Sequence, residues 1–180
     1  MVRSRYSRGA IGFHWVIASL ILLNAGLALF RETFSAFAVE MISVHKMVGL
    51  AVLALSVARL GWRLTHRLPP AGQITGRWHA RIALIVHRLL YFFMIAVPAA
   101  GWIFVSLAPD RRPLDWRGGA TVPKLPLATD DPAAFFWHEA HELMGFAMIG
   151  LVLLHIAAAF WHQFVARTNL MARMIPWLER

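Results

Sequence analysis

Apolar side chains gather into four long runs, roughly Ala10–Phe30, Ile42–Gly61, Ile82–Ala108 and Leu143–Val165. Each reaches the length a helix needs to cross a bilayer core about 30 Å thick. The pattern predicts an all-α integral membrane protein, a four-transmembrane-helix bundle forming a single domain over residues 1–180, with helices near 10–30, 42–61, 82–108 and 139–165. Arg3, Arg5 and Arg8 precede the first run as they would a signal peptide. The run is too long for that reading and lacks a convincing cleavage pattern, so it is expected to stay as a helix. Pro69, Pro70 and Gly72 mark a break after the second helix. The third contains Pro98 and Gly101, which predicts a kink near Pro98, and residues 109–137 form a long outer connection to which no regular structure is assigned.

Charge then orients the bundle. Arg3, Arg5 and Arg8, then Arg59, Arg63, Arg67, Arg77 and Arg81, then Arg167, Arg173 and Arg180 fall on one side, with Glu179 as the only acid there. Arg31, Lys46, Arg111, Arg112, Arg117 and Lys124 fall on the other, among the remaining acids. By the positive-inside rule both termini are expected in the cytoplasm. The net charge of +9 is thus a topology signal, and no nucleic-acid partner is implied. The chain has no cysteine, which excludes disulfides, thiolate ligation and covalent haem attachment.

Ionisable side chains are costly inside hydrocarbon and usually face the bundle interior. Four of the nine histidines sort by depth into two pairs. His45 and His141 fall near the outer ends of helices two and four; His14 and His155 fall toward the inner ends of helices one and four. An α-helix turns about 100° and rises about 1.5 Å per residue, so His141 and His155 lie about 40° apart around the axis and about 21 Å apart along it. Two imidazoles facing one another can hold a haem iron from both sides, and two such clamps would make an electron path across the membrane. Gly49 and Gly145 each follow an outer histidine by four residues and leave room for a flat macrocycle.

Other assignments stay open at this point. His138 shares a face with His141, and His162 shares one with His155, so either could take the ligand's place. His87, Arg88 and Tyr91 on helix three are candidates for a supporting role or a quinone site, and a structural role is as well supported for each. His66 and His79 fit an interfacial role, and the methionines fit core packing. A transporter of haem or metal is a competing class, though broken helices and paired repeats are not evident.

FHW at 13–15, HKMVGLAVLALSVARLGWRL at 45–64, HRLLYFFMIAVPAAGWIF at 87–104 and HELMGFAMIGLVLLHIAAAFWHQF at 141–164 resemble the bacterial cytochrome b561 family, which includes b-type subunits of nickel–iron hydrogenases. The likeness covers nearly the whole chain. It implies four helices around two b haems, with ligands at the positions of His14, His45, His141 and His155; WHE at 137–139 resembles the family's approach to helix four. The fourteen-residue interval to His155 favours His141 over His138. Short members resemble superoxide oxidases, which implies electron flow from periplasmic superoxide to ubiquinone. The rival implication is an electron-transfer subunit for a hydrogenase or other periplasmic redox protein. Arg31, Lys46, Arg111 and Arg112 could draw an anion to the outer mouth, but Glu32, Glu40, Asp110 and Asp115 lie close to them in sequence.

Overall fold

The computed structural model describes residues 6–66, 77–108, 114–115, 121–122, 124–168 and 170–175. Helix α1 spans Arg8–Leu29, α2 Ala38–Thr65, α3 Arg77–Leu107 and α4 Asp131–Phe160. A single 3-10 turn, Ser35–Phe37, leads into α2, and a second, Met171–Arg173, follows α4. The only strand pairing among the described residues is a two-residue antiparallel ladder, Leu114–Asp115 (β1) with Thr121–Val122 (β2). Among the described residues four helices are long and apolar enough to cross a membrane. The chain is a multi-pass, essentially all-helical membrane protein.

Each helix start has a local cause. Ser7 holds an extended conformation, and its Oγ accepts from the Ala10 amide at 3.2 Å, so an otherwise orphaned N–H is satisfied. Asp130 does the same for α4 by accepting from the Ala133 amide at 3.2 Å, with Pro132 in the first turn, where its missing N–H does no harm. That cap starts α4 eight residues ahead of the expected 139, within the stretch read as an irregular connection. Hydropathy marks where a helix enters hydrocarbon, whereas a cap marks where it begins. The connection's two ends are tied together. Asp130 N–H donates to the Leu107 carbonyl at 3.2 Å, and the Leu125 amide donates to Ser106 Oγ at 3.0 Å.

Helix α3 runs unbroken through Pro98. Helix α4 ends by widening into a π-type turn over Trp161–Val165, closed by the Ala166 amide on the Trp161 carbonyl. Arg167 then takes a positive φ of 51° and turns the chain back. Met171–Arg173 consequently folds against the start of α1, where Trp15 Nε1 donates to the Met174 carbonyl at 3.0 Å and Arg173 lies over the Tyr6 ring. Both ends of the described chain therefore meet at one end of the bundle, here the terminal end. The Pro69-Pro70-Gly72 break lies outside the described residues.

The helices pack in sequence, α1 on α2, α2 on α3 and α3 on α4. The core is small: Ile17, Ile21, Val48, Val52 and Met94, flanked by Phe13, Leu20, Leu55, Tyr91, Met148 and Val152. Ser56 is fully buried on α2, where a small side chain permits close helix approach. Most large apolar side chains point outward, as lipid-facing residues do: Leu143 is 73% exposed and Leu153 61%. Hydrophobicity therefore sets the membrane crossing, while a small apolar core joins the helices inside the bundle.

Candidate functional site

Two histidine pairs face each other across the bundle. His45 of α2 meets His141 of α4, ring centres 6.0 Å apart and planes at 89°. His14 of α1 meets His155 of α4, at 6.3 Å and 72°. A metal–imidazole bond is about 2 Å and a ring nitrogen lies about 1 Å from its ring centre, so imidazoles bound on opposite sides of one ion have centres about 6 Å apart. Both pairs have the spacing an axial clamp requires. Fourteen residues of α4 separate them, or about 21 Å along the helix. The apolar core around Ile17, Ile21, Val48, Val52 and Met94 fills the depth between.

The distal pair is held in a ligating tautomer. His45 Nδ1 lies 3.1 Å from the Asn24 carbonyl of α1, and His141 Nδ1 lies 2.8 Å from the Val97 carbonyl of α3. A carbonyl oxygen only accepts, so each Nδ1 must carry the proton and each Nε2 keeps its lone pair. Such outer contacts orient imidazole ligands and raise their basicity. Gly101 makes the second contact possible. A Cβ there would come within 2.9 Å of His141 Nδ1 and 3.0 Å of Cε1, so only glycine lets the ring lie against α3. Around Gly145 a Cβ would meet nothing within 4 Å, and at Gly49 only Asn24 Nδ2 at 3.6 Å. Space for a flat group thus adjoins the distal pair.

The pair nearer the termini sits in a more polar nest. Arg59 Nη2 lies 3.5 Å from His14 Nδ1, and His87 packs edge-on to His155 with ring centres 5.2 Å apart. His87 directs its own Nδ1 to the Ala83 carbonyl at 2.6 Å. Tyr91 carries Arg59 and Arg63 on its ring, at 5.3 and 5.2 Å from the ring centre. Of the three helix-three candidates, His87 and Tyr91 therefore join this group, whereas Arg88 is exposed and makes no contact with it. Sequence weighs Arg59 and Arg63 only as charge flanking a connection; both lie on α2, Arg59 within the expected helix and Arg63 just past its expected end. Their signal was present, because Arg59 follows His45 by the same fourteen residues that separate His141 from His155.

The competing histidines sit elsewhere. His138 packs edge-on to Phe104 at 4.8 Å, with Nδ1 3.5 Å from Glu139. His162 lies in the π-type turn beside Thr168 and His79. His66 stacks on Trp62 at 3.9 Å, and His79 stacks on Trp161 at 6.0 Å. At the distal rim Arg31 is 3.7 Å from Glu32, which offsets its charge. Arg111, Arg112 and Asp110 lie outside the described residues.

Four membrane-crossing helices with facing imidazole pairs at two depths define a class: a helical membrane protein whose interior presents paired metal-ligating side chains. Residues 5–177 match the prokaryotic cytochrome b561 family, so this chain belongs to that family of haem b-binding electron-transfer proteins. Among curated relatives it is 31% identical to cytochrome b562 of Cereibacter sphaeroides, over 94% of each chain. It is 26% identical to the probable superoxide oxidase CybB of Yersinia pestis, over 97% of this chain and 98% of that one. Cytochrome b561 homolog 1 of Escherichia coli K12 is 22% identical, over 96% of this chain and 98% of the relative.

Proposed function

We propose that the protein holds two haem b groups, one between His45 and His141 and one between His14 and His155, and passes electrons from superoxide on one side of the bacterial inner membrane to ubiquinone. The observation that carries this reading is the pair of cross-bundle imidazole contacts at 6.0 and 6.3 Å. When bound, haem supplies reversible one-electron chemistry at an iron whose potential its ligands and burial tune. The protein's own residues do the rest. Asn24 and Val97 fix the protons of the distal imidazoles, and the apolar core between the two levels keeps out water and ions while leaving electron transfer open. That barrier favours electron movement over transport of a metal or of haem. The net reaction turns two superoxide anions into two dioxygen molecules, while one quinone gains two electrons and two protons.

Similarity to the probable superoxide oxidase supports superoxide as donor. His87 and Tyr91, beside the His14/His155 level, are the proposed quinone neighbours. The basic excess of the terminal end supports a cytoplasmic location for both termini. Stopped-flow mixing of the oxidised purified protein with superoxide tests the substrate. Rapid haem reduction is expected, with reoxidation when ubiquinone is present; absence of reduction would favour a partner dehydrogenase as donor instead.

A further inference from the structure

Arg59 is half-buried and reaches toward His14, and Arg63 follows it by one helical turn. Both guanidiniums gather on one neutral ring, that of Tyr91. The ring face attracts a cation but cannot neutralise it. Among the described residues no carboxylate pairs with either arginine. The sequence explains why: Glu32, Glu40, Asp110, Asp115, Asp130, Asp131, Glu139 and Glu142 fall between α1 and α2, between α3 and α4, or in the opening turns of α2 and α4, and only Glu179 follows α4. Arg59 is half-buried and Arg63 exposed; two like charges held against one ring without a counter-ion repel each other, and that cost falls once an anion is hydrogen-bonded to them.

We infer that Arg59 and Arg63 form a carboxylate-binding site for the haem held by His14 and His155, each guanidinium receiving one of its two propionates. This rests on the ligand reading above. The chemistry matches in number and shape, since two planar forks meet two carboxylates that they can bind in bidentate fashion. Arg59 stands close enough to His14 to reach a group seated on that imidazole. The site would also orient the macrocycle, with its acidic edge toward the terminal end. Tyr91 would act as a spacer that keeps both guanidiniums in place. A lipid phosphate offers the same anionic chemistry, and the test separates the two sources.

The first arm uses the wild-type protein, stripped of haem and reloaded with either haem b or its propionate dimethyl ester. The His14/His155 site is expected to bind the ester at least tenfold more weakly. Equal binding would overturn the inference and leave lipid phosphate as the anion. In the second arm, resonance Raman spectra of the loaded protein are read at the propionate-bending band. Arg59→Gln and Arg63→Gln should each displace that band for one haem only and lower that haem's midpoint potential, because a nearby cation favours the reduced iron. Arg59→Lys should restore most of the potential, and Arg81→Gln, at an exposed position over Trp78, should change neither. An unmoved band in both glutamine variants would refute the assignment. A terminal-end haem that survives His14→Ala would instead overturn the ligand reading, a failure visible in haem content before either arm begins.

Discussion

Replacing Gly101 with alanine tests the distal site through a residue that bears no ligand. The added Cβ would lie 2.9 Å from His141 Nδ1 and 3.0 Å from Cε1, inside ordinary contact distance, so the imidazole must move by several tenths of an ångström. Helix α3 cannot yield easily, because the offending carbon is fixed to its backbone. The movement lengthens the 2.8 Å contact between Nδ1 and the Val97 carbonyl. Overpacking of this kind costs about 1–3 kcal/mol, and a weakened buried hydrogen bond adds about 1 kcal/mol. Loss of such an orienting contact typically lowers metal affinity about 10–100-fold. Pyridine haemochrome quantification should therefore fall from two haems per chain toward one, with the loss confined to the distal haem in redox-resolved spectra. Gly150→Ala is the matched control, since a Cβ there meets nothing within 4 Å. Two full equivalents of haem in Gly101→Ala, with unaltered spectra, would refute the role assigned to the His141 contact.

Other outcomes follow from the same geometry. His45→Ala or His141→Ala should remove the distal haem selectively, and His14→Ala or His155→Ala the other, as pyridine haemochrome content reports. Gly145→Leu adds bulk where the protein itself offers no atom within 4 Å, so thermal stability of the haem-free chain should hold while haem content falls; unchanged haem would mean that the macrocycle lies elsewhere. Gly9→Ala brings a Cβ within 2.9 Å of the Trp62 ring and should destabilise the α1–α2 contact by about 1–3 kcal/mol, read as a lowered melting temperature in detergent.

Much of this architecture was legible along the chain because one physical quantity governs it. Transfer of apolar side chains into lipid depends on composition and run length, so four crossings could be read without knowing which helix touches which. Depth was legible for the same reason. Position along a crossing measures distance through the bilayer, which sorted His14 with His155 and His45 with His141, and these are the pairs that face each other. The start of α4 was missed because Asp130 and Pro132 act through backbone hydrogen bonding, to which hydropathy is blind.

What tertiary structure alone decided is rotation about each helix axis and the identity of neighbours. Only the packed bundle presents the Asn24 and Val97 carbonyls to imidazoles 21 and 44 residues away in sequence. It also made Gly101 a seat for His141 and drew Arg59 inward to His14. A carbonyl carries no side-chain signature, and a glycine records only that something comes close. Which partner arrives is set by how neighbouring helices interlock, and no single helix contains that information.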